Sequence, residues 1–456
     1  MNTAKQQIWT ESLGLRGRSR PDLFLSANEV SGVPHAAAMR TGFNKLGLSG
    51  FFCVDSIPAI AFLIQKRLNR LEINRIHKSL WNQGLVSLLL VILPEEVRAY
   101  SITQTPVPED TADLDDKKDE RLVKPFNLVA DAIELSHLIT GVESGRYFQD
   151  NKTKFDQKKK VDTVLLSNLR ETEASLTERK LTTGSAQALL LQITFIAYLE
   201  DKGIIDPNYF KHALGHGKIS GLKDLLNSKA PENLNALFGK LRHDFNGDIF
   251  FAPCAFDTKA PSSPLTAEHM QCLSSFREGN VELATGQGRF WPYDFRYIPI
   301  ELISAIYNRF LAGRPKERRA HGAYYTPHFL ADLTVNQVWD EVPPDIKSKP
   351  EFKVLDPACG SSIFLVRIFQ RMVEDWRGKH PKSTPDWDTL VSIVERLYGW
   401  DKETSAVRIG IFSLYIALLE EVEPSAILKL LAEGKLLPLL FGKTMCDHDF
   451  FFRKYA

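Results

Sequence analysis

The chain has 456 residues, 44% of them hydrophobic, enough apolar material for several buried cores and an expected domain count of about two to four. Lysine plus arginine (57) nearly cancel aspartate plus glutamate (56), which excludes an overall basic field and leaves only local basic surface for a polyanion. Cysteines at 53, 254, 272, 359 and 446 form no Cys-x-x-Cys pair, so neither a zinc site nor a disulfide framework is expected, and a reducing, cytoplasmic setting fits. The N-terminus has no apolar signal segment, and apolar runs such as GLVSLLLVIL are too short to span a bilayer, so no membrane partner is expected.

Up to about Ser49 the sequence is mixed. From Gly50, GFFCV reads as a strand, PAIAFLIQKRLNR as a helix opened by Pro58, and EINRIHKSLWNQ as another helix. VSLLLVIL and VRAYSI read as a hairpin turned at Pro94-Glu95-Glu96. Residues 1–105 are therefore expected to form a small α/β region. Thr105–Glu120 is acidic, proline-bearing and poor in apolar residues, so 106–125 is expected to be a solvated linker. Beyond Pro125 the pattern turns helical: Leu189, Ile193, Ile196 and Leu199 share a face of a helix that ends at Gly203, and YIPIELISAIYNRFL places Pro299 in a first helical turn. Residues 126–320 are accordingly expected to be a helical connector. From 321 onward, FKVLDPACG reads as a strand, SSIFLVRIFQRMVEDWR as an amphipathic helix, ERLYGWD as a strand and ETSAVRIGIFSLYIALLEE as a helix, an alternation that implies a parallel, doubly wound sheet.

Asp356–Ser362 is a small-residue loop leading from a strand into a helix, where open α/β sheets admit a ligand close to the backbone. About forty residues past the loop, Asp401 ends the next strand, where a carboxylate can accept hydrogen bonds from both ribose hydroxyls of a nucleoside. Alone, a Gly-Ser turn is more often only a turn and a lone carboxylate only a cap. Their spacing together points to an adenosine-containing cofactor.

GAYYTP preceding DPACGSSIFLV, and then GWDKETSAVRIG, resembles motifs X, I and II of the gamma-type DNA amino-methyltransferases that act on adenine N6, above all the larger members found in type IIG and type I restriction-modification and related phage-defence systems. LQITFIAYLEDKGII, LFGKLRHDFNGDIF and FRYIPIELISAIYNRFL resemble the helical connector of those enzymes, and IHKSLWNQGLVSLLLVILPEEVRAYS their N-terminal α/β region. The resemblance implies an α/β protein: a small N-terminal α/β domain, a helical connector, and in 321–456 the first part of a Rossmann-like class I methyltransferase domain with an incomplete sheet. It implies S-adenosylmethionine as cofactor and double-stranded DNA as partner. Carried over by position, Tyr324, Thr326 and Pro327 would bound the methionine end of the cofactor, with Tyr325 packing behind. Asp356, Ala358 and Gly360 would form the loop beneath it, and Asp401 would bind the ribose.

The sequence departs from the family at several points. Ser362 stands where glycine is usual. The Asn- or Asp-Pro-Pro-aromatic motif that holds a flipped adenine does not occur; VPPD, Val342–Asp345, has the wrong flanks and precedes the loop. The ending, LLFGKTMCDHDFFFRKYA, resembles the segment just before that motif, with Lys443 at a position often acidic in the family and Asp447 and Asp449 as substitutes. The expectation is a cofactor-binding part of a site-specific, adenine-specific DNA methyltransferase, a fragment or one half of a split enzyme, completed by a second protein chain. The alternative is a non-catalytic subunit that binds a partner or DNA in a defence complex. No catalytic residue and no metal ligand is assigned: Glu178-Arg179-Lys180 has the spacing of a nuclease Glu-x-Lys site but lies in a helix-prone segment. The basic run NKTKFDQKKKVD, Asn151–Asp162, reads as a solvated face before it reads as a phosphate contact.

Overall fold

The structure, a computed structural model, describes residues 9–15, 17–19, 21–30, 35–245, 265–279, 281–282, 289–311, 326, 328–380, 383–434 and 437–450. The chain divides into two compact units, one of residues 1–164 and 279–298, the other of residues 165–278 and 299–456. Among the described residues no helix is long and apolar enough to cross a membrane.

The first unit is built on a six-stranded mixed sheet in the order β1-β2-β3-β4-β5-β6. Its strands are β1 (Leu23–Phe24), β2 (Gly50–Val54), β3 (Ile57–Ile64), β4 (Leu88–Ile92), β5 (Glu96–Ser101) and β6 (Leu122–Asn127). All neighbours are antiparallel except β3 and β4, which are parallel and joined through helix α1 (Arg70–Gln83). Helix α1 starts where the Asn69 side chain accepts from Glu72 N and stops at Gly84, which adopts the left-handed conformation. Alternate strand residues Ile60, Phe62, Leu88, Leu90 and Ile92 pack with Trp9, Leu13 and the helical stretch Leu135–Val142. A short hairpin, β7 (Val281–Glu282) and β8 (Arg289–Phe290), belongs to the same unit.

Two local expectations change here. Pro58 does not open a helix; it lies in β3, opposite Cys53 where the β2–β3 register shifts. Proline has no N–H to give the ladder and is tolerated at such an irregularity. PAIAFLI, apolar at every position, suits a strand covered on both faces better than an amphipathic helix. The acidic stretch expected as a solvated linker lies against α1 instead, and Leu122–Pro125 of it is already strand β6. Asp116 pairs with Arg70 at 2.6 Å and with Arg98, Lys78 with Glu109 at 3.0 Å, and Asn74 Nδ2 donates to Thr111 O at 2.7 Å. Residues 70, 74 and 78 are one turn apart on α1, so one ridge of that helix, together with Arg98 of β5, holds the segment.

The second unit holds helices α2 (Val161–Glu178, most of it), α3 (Thr183–Asp201), α4 (Ile300–Leu311), α5 (His328–Glu341), α6 (Ile363–Lys379), α7 (Trp387–Val394) and α8 (Thr404–Glu420). Its sheet has three strands, β9 (Val354–Asp356), β10 (Leu397–Trp400) and β11 (Met445–Cys446), all parallel, in the order β11-β10-β9. Parallel strands joined by α6 with α7 and by α8 are the doubly wound arrangement, which gathers all three carboxyl ends at one edge. The connector helix α4 packs on α8, with Tyr307 edge-on to Phe412 at 6.0 Å and the Tyr307 hydroxyl bonded to Leu190 O of α3.

Candidate cofactor site

Four backbone N–H groups of the loop leaving β9 are held by hydrogen bonds. The Asp356 carboxylate turns back to accept from Ala358 N at 3.1 Å. Cys359 N donates to Trp400 O at 2.9 Å, Gly360 N to Asp401 Oδ2 at 3.0 Å, and Ser362 N to Cys359 O at 2.7 Å. Gly360 has a φ of +51° and open space where a Cβ would point. Glycine suits such a position because it carries no side chain into the left-handed region. Ser362 adopts the same region without being glycine (φ 64°, ψ 32°) and stands at the N-cap position of α6, without a side-chain capping hydrogen bond. It fits because Gly410 of α8 faces it: a Cβ at 410 would collide with Ser362 Oγ.

Three carboxylates stand at the carboxyl ends of the three strands. Asp401 ends β10, its Oδ1 accepting from Glu403 N at 2.9 Å and its Oδ2 from Gly360 N. Asp447 follows β11, its Oδ2 accepting from Thr404 Oγ1 at 2.8 Å. Asp356 ends β9 with one oxygen, Oδ2, buried and without a hydrogen-bond partner. Burial pushes the Asp356 carboxyl above the usual carboxylate range; the Ala358 N–H relieves this in part, and the Asp401 charge adds to it. Burial also raises the Cys359 thiol, with the Asp356 charge adding, so Cys359 is an inert spacer in the loop.

The structure thus brings Asp356, Ala358, Gly360 and Asp401 together. Thr326 is half-buried just ahead of α5. Arg367 of α6 donates to Asp332 of α5 at 2.9 Å and Trp339 of α5 to Asp375 of α6 at 3.2 Å, so the two helices run parallel and Thr326 lies toward the loop end of α6. Tyr324, Tyr325 and Pro327 lie outside the described residues. Of the residues offered for the third strand, Lys443 pairs with Glu395 at 2.7 Å ahead of β10 and β11, at the amino edge, while Asp447 occupies the carboxyl edge. Pro343 and Pro344 of VPPD open a short exposed helix, Pro344–Lys347. Glu178 is the last residue of α2 and Lys180 sits in the turn after it, so Glu-x-Lys is not on a strand. In the basic run, Lys159 pairs with Glu120 at 2.6 Å and Lys154 Nζ donates to Glu120 O at 3.2 Å.

One contributor escaped the sequence reading. Ser304 of α4, fully buried, donates to Ser361 O at 3.0 Å and supports the loop from behind. Its signal is a single hydroxyl on the apolar stripe Ile300, Ile303, Tyr307 and Phe310.

Residues 299–421 match a family model described as N-6 DNA methylase. That span runs from α4 through the loop to the end of α8. Among curated proteins none matches the sequence. Among solved structures, a chain described as "cryoEM structure DrdV-DNA complex" aligns with 92% of this chain and 38% of its own length, at 12% identity and a TM-score of 0.26, a likeness too slight to carry an argument. This chain therefore spans well under half the length of that relative. The segment 299–421 that is similar to this family takes in the Asp356–Ser362 loop and strands β9 and β10.

Proposed function

We propose that this chain is the S-adenosylmethionine-binding part of a DNA adenine-N6 methyltransferase of a restriction-modification or phage-defence system. The observation that carries the reading is the cluster of Asp356, Asp401 and Asp447 at one sheet edge around the open Gly360 loop, with a buried carboxylate oxygen of Asp356 lacking a partner. Ionised carboxylates are acceptor-only groups. S-adenosylmethionine offers a complementary set: two cationic centres, two ribose hydroxyls and an adenine amino group. Asp401 keeps lone pairs free for the ribose after accepting from Gly360 N and Glu403 N. Asp356 would lie toward the cationic end, and Asp447, oriented by Thr404, would accept from the adenine amino group. Thr326, with Tyr324 and Pro327, would bound the methionine end as the resemblance implies. When bound, the cofactor supplies an electrophilic methyl group.

The residues that would hold a flipped adenine, Asn- or Asp-Pro-Pro-aromatic, do not occur among these 456 residues. Transfer to double-stranded DNA is therefore proposed to need that motif from a further segment or a second protein chain. The same absence favours a second reading, a non-catalytic subunit that keeps the fold to hold a partner or DNA. Methyl transfer to adenine-containing duplex, assayed with and without the proteins encoded beside this one, separates the two. Transfer with a neighbour present supports the enzyme; none in any combination supports the binding subunit.

A further inference from the structure

We infer that Ser304 is a positioning residue of the cofactor loop, holding a left-handed peptide in place across the boundary between the connector helix and the strand-loop-helix motif. The inference deepens the proposed function and rests on it for the identity of the ligand. Serine inside a helix ordinarily turns its hydroxyl back onto its own helix, and it is a poorer helix former than alanine. Ser304 is fully buried in α4 and spends its hydroxyl elsewhere, on the carbonyl of Ser361, 57 residues away in sequence.

That carbonyl belongs to the peptide group joining Ser361 to Ser362. The other end of the same peptide, Ser362 N–H, donates to Cys359 O at 2.7 Å. Both ends of one peptide plane are thus tied down. The tie matters because Ser362 has a φ of 64°, a conformation that a residue with a Cβ adopts only when its surroundings enforce it. The natural relaxation is rotation of the Ser361–Ser362 peptide, and that rotation would break both bonds. It would also disturb the turn that directs Gly360 N–H to Asp401. Ser304 therefore opposes the local motion that would dismantle the loop.

The test uses the full chain and two readouts. Hydrogen exchange of the segment Asp356–Val366, without ligand, should speed up by about tenfold in Ser304→Ala and return to within about threefold of wild type in Ser304→Thr, which restores the hydroxyl. Thr194→Val, which removes a hydrogen bond to Tyr307 of the same helix without touching the loop, should leave exchange in that segment within about twofold of wild type. In a Ser362→Gly background the Ser304→Ala effect should fall to less than about threefold, because glycine keeps the left-handed conformation without enforcement. Calorimetry with S-adenosylmethionine should show about tenfold weaker binding for Ser304→Ala and no loss for Thr194→Val. Unchanged loop exchange in Ser304→Ala, equal acceleration in Thr194→Val, or an undiminished effect in the glycine background would each overturn the assignment. A wild-type chain that binds no S-adenosylmethionine would instead remove the proposed function, while the exchange data still decide the role of Ser304.

Discussion

Asp119 in the first unit is fully buried and Asp356 in the second half-buried with one oxygen out of reach of water, and their partners differ. Asp119 receives Arg121 Nε and Nη2, each at 2.8 Å, and Arg121 N at 3.0 Å, with both side chains almost fully buried. Burial alone would raise the Asp119 carboxyl; the Arg121 hydrogen bonds and charge outweigh it and hold the group below the usual range. Asp356 has one backbone N–H on one oxygen and nothing on the other, a second carboxylate nearby, and a carboxyl pushed up. The contrast separates two settings for a desolvated acid. A carboxylate closed by its own arginine is structure, whereas one left short of a cation at the carboxyl end of parallel strands is, on the proposed function, the acceptor for the cofactor's positive charge.

The comparison can be broken most forcefully by exchanging charges. Arg121→Met leaves Asp119 buried and unpaired, and denaturant unfolding should show a loss of about 3–5 kcal/mol. Asp356→Asn should change stability by less than about 1 kcal/mol, since no ion pair is lost and a desolvated charge is removed, yet it should weaken cofactor binding. Equal destabilisation by the two would erase the distinction. Next in size is the packing behind the Asp356–Ser362 loop: Gly410→Ala, driven against Ser362, should cost about 1–3 kcal/mol in thermal or denaturant unfolding, and Ser362→Gly in the same chain should recover part of it. Ser362→Gly alone should stabilise by about 1 kcal/mol through relief of the left-handed backbone. The smallest signal is in pH dependence. Asp119, depressed in the folded state, contributes stability that is present above its unfolded pKa of about 4 and lost as pH falls through the folded value. Asp356, raised in the folded state, acts with the opposite sign: stability falls as pH rises from about 4 through its folded value. Stability curves between pH 3 and 7 for Asp356→Asn should therefore lack that second decline; a curve superimposable on wild type would contradict the sign.

Particular residues show how much of this was legible in the sequence. Strands β2, β9 and β10, helices α1, α6 and α8 and the hairpin β4–β5 follow directly from apolar runs bounded by turn residues. Asp356, Gly360 and Asp401 could be paired because a strand-loop-helix repeat fixes where strand ends fall. Pro58 misled because a short, wholly apolar run carries no period to tell helix from strand. The acidic stretch misled because composition reports solubility and not partners: Arg70, Asn74 and Lys78 lie over thirty residues away, on a helix whose ridge only the fold places beside it. Choosing Asp447 over Lys443 required the strand register, since the two differ by four positions and lie at opposite edges of the sheet. Ser304 was visible only as an odd hydroxyl on an apolar face.

The most direct measurement is isothermal titration calorimetry of the full chain with S-adenosylmethionine, alongside Asp401→Ala. Saturable one-site binding, weakened by roughly 1–3 kcal/mol in the variant through loss of charge-assisted hydrogen bonds to the ribose and to Gly360 N, is the expected result. No detectable heat at millimolar cofactor with a folded wild-type chain, or equal affinity in Asp401→Ala, would contradict a cofactor site at the carboxyl ends of β9 and β10.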